Sequence, residues 1–198
     1  GPTSITRLDR QFAVGVSADL RPGNALDTTI PVVQREVKAL GLWAPQIPKS
    51  LGGQGLPVVG MAACYEAMNE SIFGPACFNA AAPDDGNMTV LAKVATPAQK
   101  ARWLAPIVDG RVRSSFVMTE PHPGSGSDPA MTLTLAERRG DRWVVHGRKW
   151  FITNAADPRC KICIFMGKTD PDNPDRHRQQ SMILVPMDAP GVKVLRPI

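Results

Sequence analysis

A run of glycine and serine directly follows an apolar stretch in the second half of the chain. The apolar stretch Phe116–Met118 is typical of a strand, and the Thr-Glu-Pro sequence at 119–121 ends it. The sequence Gly-Ser-Gly-Ser then occupies 124–127. Backbone amides and small hydroxyls can bind phosphate without obstruction by larger side chains. The segment is therefore either a plain surface loop or a cradle for a flat, anionic ligand.

Cysteines can bind metals or form disulfides, and the four in this chain show neither pattern. Cys160 and Cys163 form a C-x-x-C pair. The sequence has no second such pair and no spaced pair of histidines that would complete a metal site. The surrounding sequence, RCKICIFMG, is typical of a strand, in which residues three apart point to opposite faces. Cys64 and Cys77 stand alone. We therefore expect reduced thiols and no metal site.

The positive charge is spread along the chain. The net charge is +5, with short basic runs at 138–139, 148–149 and 176–178. Nucleic-acid-binding proteins concentrate such residues on one face, so we interpret these runs as solvated surface and expect no nucleic-acid partner. No apolar run is long enough to cross a membrane, and the first residues lack the apolar core of a signal peptide. We accordingly expect a cytoplasmic protein.

Helix signals dominate the first part of the chain. Thr28 or Thr29 can cap a helix that holds Pro31 in its first turn and ends at Gly41. A second helix is predicted over about 57–72, where apolar residues recur at helical spacing. Those residues are Met61, Ala62, Tyr65, Met68 and Ile72, and we expect the methionines and the aromatic residue among them in the core.

A third helix signal is a capping box. The sequence Thr-Pro-Ala-Gln at 96–99 combines a threonine cap with proline at the first helical position. Pro106 should kink or end the helix that begins there, and Gly110 should close the segment.

The apolar period changes to two after residue 112. Met131, Leu133 and Leu135 alternate with Thr132 and Thr134, and further short β-rich runs follow. The polar, proline-broken segment 169–180 predicts a long exposed loop. We therefore predict an α+β fold, with a helical domain over 1–112 followed by an antiparallel, barrel-like β domain over 113–198.

Several motifs, in their order and spacing, resemble the acyl-CoA dehydrogenase family. The N-terminal helical domain of that family is matched by PKSLGGQG and TPAQKARWLAPIVDGRV. Its middle β domain is matched by FVMTEPHPGSGSD followed by GRKWFITN. The later sequences ITNAADPRCKICIFMGKT and RHRQQSMILVPMDAPGVKVLRPI resemble the branch that includes the long-chain, kinase-fused dehydrogenases. Such enzymes carry a further C-terminal helical domain, which we expect to lie outside this sequence.

The resemblance implies a flavoprotein that uses FAD to oxidise an acyl-CoA thioester in fatty acid metabolism. A carboxylate base removes the α-proton while hydride leaves the β-carbon for flavin N5. The family places that base, a glutamate, on its C-terminal domain, so we assign no catalytic base here and expect residues 1–198 alone to be inactive. Glu120 is assigned a structural role, bonding the loop backbone. An electron-accepting flavoprotein and a homodimer or homotetramer are the implied partners.

The resemblance assigns cofactor contacts to three segments. They are Phe116, Val117, Met118 and Thr119 along the flavin, Gly124, Ser125, Gly126 and Ser127 near phosphate and acyl-CoA, and Phe151, Ile152 and Thr153. Phe151 stands where the family has a tryptophan over the flavin, which keeps an aromatic face but loses the indole N–H. Thr153 stands where a hydroxyl reaches flavin N5.

The Gly-Ser loop departs from the family's usual spacing. The common pattern is Thr-Glu-Pro, two residues and then Gly-Ser-Asp, whereas here His122 to Ser125 intervene. Counting from Thr119 places the substrate-binding serine at Ser125, and counting back from Asp128 places it at Ser127, which we favour. The longer loop either shapes the acyl-CoA entrance and favours long or bulky acyl chains, or is a solvent-facing bulge.

Two other functions fit the same residues. One is a flavin-binding homologue of this fold that has lost catalysis and binds DNA, as the alkylation-response flavoproteins do. The other is a helical-plus-β interaction module that binds no cofactor. A basic patch beyond this sequence would indicate the first, and a colourless purified protein would indicate the second.

Overall fold

Helices form the first part of the chain and strands the second. The computed structural model describes the backbone of residues 4–8, 11–15 and 26–196, and side chains over 28–196. The chain divides into two compact units, Gly1–Gly110 and Arg111–Ile198. The described part of the first unit is helical apart from one hairpin, and the second holds a five-stranded sheet. The predicted α+β class is therefore confirmed.

The first unit begins with an antiparallel hairpin that the sequence patterns did not predict. Its strands are β1 (Ser4–Leu8) and β2 (Gln11–Gly15). The helices that follow are α1 (Leu26–Ala39), α2 (Val58–Met68), α3 (Gly74–Cys77), α4 (Asp84–Val94), α5 (Pro97–Gln99) and α6 (Ala105–Val108). A 3₁₀ turn occupies Lys49–Leu51, and a π-helical turn, Lys100–Leu104, joins α5 to α6. Helices this short need tertiary packing to persist.

The first helix begins earlier than its apparent cap. Since α1 starts at Leu26, Thr28 and Thr29 lie inside the helix and Pro31 is an interior residue. The predicted threonine cap is therefore wrong, and the proline is tolerated within the helix instead of marking its first turn. The predicted end is confirmed, because Gly41 follows α1 with a left-handed φ of 69°.

The second helix is shorter than its periodic pattern predicts. It ends at Met68, well before residue 72. Met61 and Met68 are buried, but Ile72 lies past the helix end and is 85% exposed. The predicted helical placement of Ile72 is therefore wrong, because the helix ends before it.

The capping box at Thr96 is present as predicted. The Thr96 hydroxyl accepts from the Gln99 amide, and the Gln99 side chain accepts from the Thr96 amide. Pro106 does not end the helix, because a π turn directly precedes it. There the Ala105 amide donates to the Lys100 carbonyl, one residue further back than in an α-helix, and α6 continues to Val108.

Side chains from distant parts of the first unit cap the end of α6. Trp43 Nε1 donates to the Val108 carbonyl at 2.6 Å, and Asn79 Nδ2 donates to the same carbonyl at 3.1 Å. Lys38 Nζ donates to the Asp109 carbonyl at 2.6 Å. Carbonyls at a helix end have no intrahelical partner, so the bonds from Trp43 and Asn79 satisfy a buried carbonyl, and the bond from Lys38 satisfies an exposed one.

The second unit is a mixed sheet. Its strands are β3 (Arg113–Val117), β4 (Leu135–Arg139), β5 (Arg142–His146), β6 (Cys160–Lys168) and β7 (Gln180–Pro186). The buried β6 strand pairs in parallel with β3 and β4 and antiparallel with β7, while β4 and β5 form an antiparallel hairpin. The predicted sheet is therefore confirmed, but its strands do not all run antiparallel. Over the described strands it does not close into a barrel.

The threonine face of segment 131–135 packs inward. Thr132 and Thr134 are buried, whereas the three apolar residues of the segment are exposed, the least being Leu135 at 39%. The period-two pattern thus predicts an extended chain, but the regular strand begins only at Leu135. The Leu133 and Thr134 amides donate to the Glu120 carboxylate and not to a neighbouring strand.

All four cysteines are free thiols. Cys77, Cys160 and Cys163 are buried, and Cys64 is half-buried. Burial raises the pKa of the Cys163 thiol to about 12, which suppresses the reactive thiolate. Across residues 28–196 we find no group of three side chains placed to hold a metal ion. Within the same range, every helix is too short or too polar to cross a membrane.

Gly110 and Gly41 provide a matched test of the α6 cap. Both have positive φ, but a Cβ at Gly110 would lie 2.6 Å from the Trp43 ring, whereas Gly41 has open space around it. We expect Gly41→Ala to cost about 1 kcal/mol through backbone strain alone. Gly110→Ala should cost about 2–3 kcal/mol more, because the cap must shift. Equal losses of unfolding free energy, measured by denaturant titration, would contradict this account of the cap.

Candidate functional site

An open cleft occupies the β unit. Its volume is about 1530 Å³, and parts of β5, β6, β7 and the segment 147–157 line it. Four of the residues predicted to contact a cofactor lie in its wall: Val117, Phe151, Ile152 and Thr153. Within the described chain, the lining does not include Phe116, Met118, Thr119 or the loop 124–127. The structure thus places four of the eleven predicted residues in the cleft wall, and the other seven are not part of its lining.

The segment 150–154 is fastened to β3 and to the chain that follows it. The Trp150 amide donates to the Thr119 carbonyl at 3.1 Å, and Asn154 Nδ2 donates to the Ser114 carbonyl at 3.1 Å. These two bonds tie both ends of the segment to the run that contains the predicted flavin contacts at 116–119. They explain how residues far apart in sequence share one cleft wall.

Phe151 is held in an unusual conformation. Its φ is +52°, a left-handed value that costs a bulky residue about 1–2 kcal/mol. The ring is 61% exposed and packs against the Trp150 ring in a tilted arrangement, with a centroid separation of 4.8 Å and an interplanar angle of 52°. Such strain persists only where surrounding contacts enforce it, and here it presents an aromatic face to the cleft.

The carboxylate of Glu120 is the acceptor on which several loops converge. Its Oε2 accepts from the Leu133 amide at 2.7 Å and from the Ser125 amide at 3.4 Å. Its Oε1 accepts from the Thr134 amide at 3.0 Å and from Lys149 Nζ at 2.8 Å. The side chain is 4% exposed. The structural role predicted for Glu120 matches these contacts.

Lys149 is the buried partner that the sequence patterns missed. The basic run 148–149 was interpreted as solvated surface, but the Lys149 side chain is 6% exposed, so for this residue the interpretation is wrong. Its Nζ donates to Glu120 and to the carbonyls of Met118 and Met166, each at 2.8 Å. Three acceptors match the three donors of an ammonium group. A lysine flanked by aromatic and strand-forming residues was the available signal.

The two charges determine each other's ionisation. Burial raises the pKa of Glu120, but hydrogen bonds from Lys149, Thr134 and the Leu133 amide outweigh it and lower that pKa to about 2. Burial lowers the pKa of Lys149 below its ordinary value, and the nearby carboxylate opposes that change. Glu120 is therefore ionised throughout the physiological range.

The two candidate serines occupy different environments. Ser125 is fully buried, its hydroxyl donates to the Met118 carbonyl at 3.0 Å, and its own carbonyl accepts from the Glu120 amide at 2.7 Å. Ser127 is exposed. The hydroxyl of Ser125 is thus engaged in holding the loop, whereas that of Ser127 faces solvent.

The segment 169–180 is mostly exposed, as predicted, and it contacts the end of the Gly-Ser loop. Arg176 forms an ion pair with Asp128 at 2.9 Å, and Gln180 Nε2 donates to the Pro129 carbonyl at 3.0 Å. Asp128 also accepts from the Ala130 amide at 2.9 Å. The loop is therefore supported on both sides, by Glu120 and by this segment.

Family comparisons match both units of the chain. Residues 16–111 match the acyl-CoA dehydrogenase N-terminal domain, and residues 115–198 match the acyl-CoA dehydrogenase middle domain. Acyl-CoA dehydrogenase family member 10 of Mus musculus is 45% identical over 171 residues, covering 84% of this chain and 16% of that protein. FadE2 of Mycobacterium tuberculosis, a probable acyl-CoA dehydrogenase, is 40% identical over 202 residues, covering 98% of this chain and 49% of that protein.

Solved structures of the same family share the fold. A candidate acyl-CoA dehydrogenase from Mycobacterium abscessus superposes with a TM-score of 0.80 at 42% identity, covering 85% of this chain and 41% of that one. A glutaryl-CoA dehydrogenase from Mycobacterium smegmatis, in complex with FADH2, superposes with a TM-score of 0.62 at 26% identity. The match covers 82% of this chain and 38% of that one. The chain spans about half or less of these relatives. The resemblance to the branch with family members 10 and 11 is confirmed.

Gly124 and Gly126 test whether the loop depends on Glu120. A Cβ at Gly124 would overlap the Glu120 carboxylate, whereas a Cβ at Gly126 would meet open space. We expect Gly124→Ala to lower the unfolding free energy by about 2 kcal/mol, since it displaces a buried hydrogen-bonded charge. Gly126→Ala should be nearly neutral. Denaturant unfolding compares the two, and equal effects would show that the loop does not rest on the carboxylate.

Acid should remove stability through Glu120. Because its folded pKa of about 2 lies below the ordinary 4.5, its stabilisation is complete above pH 4.5 and is lost as pH falls towards 2. Linkage over that interval gives about 3 kcal/mol. We expect Glu120→Gln to lower the unfolding free energy by roughly this amount near neutral pH. The difference in unfolding free energy between this variant and the natural protein should then decrease as the pH is lowered.

The matched control for this experiment is Glu137→Gln. Glu137 pairs with Arg139 on the surface, where its side chain is 51% exposed, so the substitution should have a much smaller effect. Unfolding free energies of the three proteins across the acid range provide the measurement. If the difference in unfolding free energy between Glu120→Gln and the natural protein stays constant with pH, protonation of Glu120 does not account for the loss of stability in acid.

Proposed function

Because the chain belongs to the acyl-CoA dehydrogenase family, a family of oxidoreductases, we propose that its full-length protein dehydrogenates an acyl-CoA thioester with FAD. The observation that carries the proposal is the wall of the cleft, in which Phe151 presents an exposed ring beside Thr153 and Val117. An aromatic and apolar wall with a nearby hydroxyl suits a flavin ring. When bound, FAD supplies the hydride acceptor.

We propose that the Gly-Ser loop, which lies outside the lining of the cleft, binds the phosphates of the cofactor. Gly126 and Ser127 are exposed, and their small side chains leave the backbone of the loop open to phosphate. Ser125 holds the loop in place through its bond to Met118, so we propose that Ser127 is the serine that binds acyl-CoA. Phe116, Met118 and Thr119 would then support the wall from behind, mainly through their backbone.

Glu120 is unsuited to act as the catalytic base. Its carboxylate already accepts four hydrogen bonds, and its pKa of about 2 makes it a weak proton acceptor near neutral pH. We therefore assign no base within residues 1–198 and propose that the C-terminal domain of the full-length protein supplies it. By the same reasoning, residues 1–198 alone should not turn over acyl-CoA.

The visible absorption spectrum of the purified full-length protein tests the proposal. We expect a yellow protein whose flavin absorption bleaches when an acyl-CoA substrate is added without an electron acceptor. A colourless protein that does not take up added FAD would favour a cofactor-free interaction module. A yellow protein that no acyl-CoA bleaches would favour a non-catalytic flavoprotein.

Four further expectations stay predictions. They are the electron-accepting flavoprotein, the oligomeric state, the cytoplasmic location and the effect of His122–Ser125 on acyl-chain choice.

Thr153→Val tests the hydroxyl at the cleft wall. The substitution keeps the shape of the side chain and removes its donor, so turnover per bound flavin should fall by about tenfold or more while FAD occupancy changes little. Thr132→Val is the matched control. Thr132 is buried, lies outside the cleft wall and forms no hydrogen bond through its hydroxyl, so turnover should not change. Normal turnover per flavin in Thr153→Val, with reduced occupancy, would make Thr153 a binding residue only.

A further inference from the structure

One ammonium group joins three parts of the β unit. Lys149 Nζ contacts the Met118 carbonyl after β3, the Glu120 carboxylate, and the Met166 carbonyl of β6. It also lies 5.0 Å from the centroid of the Phe165 ring, which lines the cleft. The donors of this group are therefore fully used by the protein itself, and they bridge strand β6 to the chain that leaves β3.

The next residue along the chain adds a second attachment to the same run. While Lys149 bonds the Met118 carbonyl, the amide of Trp150 bonds the neighbouring Thr119 carbonyl. Two consecutive residues are thereby fixed to two consecutive carbonyls. A double attachment fixes both the register and the direction of the segment that follows, which begins with Phe151 in its left-handed conformation.

We propose that Lys149 is a positioning residue for the cofactor wall, fixing the segment 150–153 against 116–119 through its bond to the Met118 carbonyl. This inference rests on the proposed function, in that the wall it positions is the proposed flavin contact. The residue acts through Trp150, Phe151 and Thr153 and touches no reacting atom. Its role is distinct from that of the ion pair with Glu120, because the Met118 bond does not need the carboxylate.

The Glu120 pair provides the way to separate these two roles. A buried charge left without its partner destabilises a protein, whereas removal of both charges is often tolerated. In Glu120→Gln, Lys149 retains its carbonyl acceptors. In the double variant, Glu120→Gln with Lys149→Met, the bonds from Lys149 to the Met118 and Met166 carbonyls are lost, and no unpaired charge remains. We therefore expect the double variant to fold without the cost of an unpaired buried charge. Any change in the segment 150–153 then comes from the loss of the bonds between Lys149 and the two carbonyls.

Amide hydrogen exchange in the full-length protein measures the positioning directly. The quantity is the exchange rate of the Trp150 amide divided by that of Ile164 in the centre of β6, which cancels a global change in stability. We expect this ratio to rise about tenfold in Lys149→Met and in the double variant, and to change by less than about threefold in Glu120→Gln. Lys161→Met, an exposed lysine of β6, should match the natural protein.

FAD affinity provides the second arm. In the same proteins, the FAD dissociation constant should rise about tenfold with Lys149→Met and with the double variant, and it should stay near the natural value in Lys161→Met. A double variant with natural exchange ratio and natural FAD affinity would overturn the inference. If the natural protein binds no FAD, the proposed function fails, and the exchange ratio alone then decides whether Lys149 positions the segment.

Discussion

The buried contact between Glu120 and Lys149 is the interaction on which the β unit depends most. Burying two charges is costly unless they are paired and their remaining donors and acceptors are satisfied. Here the carboxylate also accepts backbone amides, and the ammonium also donates to two backbone carbonyls. The pair therefore fixes the backbone of several segments at once, which a purely apolar contact would not do because it lacks direction.

The candidate site lies on the segments that this contact fixes. The Gly-Ser loop begins beside Glu120, and the strained Phe151 follows Lys149 by two residues. A strained aromatic residue needs rigid neighbours, and a phosphate-binding loop needs open backbone amides. The two residues of the pair divide these tasks: Glu120 anchors the base of the loop, and Lys149, through its bond to the Met118 carbonyl, anchors the base of the aromatic segment.

Local patterns predicted local structure, and contacts across the fold decided the rest. The Thr96 capping box and the Gly41 helix end were readable because each depends on neighbouring residues alone. The parallel pairing of β3 with β6 could not be predicted from local patterns, since it joins residues more than forty positions apart. The burial of Lys149 was missed for the same reason, because its acceptors at 118, 120 and 166 are distant in sequence. Spacing alone also left two candidate serines, which their environments distinguish.

We propose that the wall formed by Val117, Phe151 and Thr153 is a flavin site. The most direct test is a crystal structure of the full-length protein with FAD bound. We expect the flavin ring to lie against Phe151 and Val117, with Lys149 still bonded to the Met118 carbonyl. A flavin bound elsewhere, with the Phe151 ring turned away from it, would contradict the account.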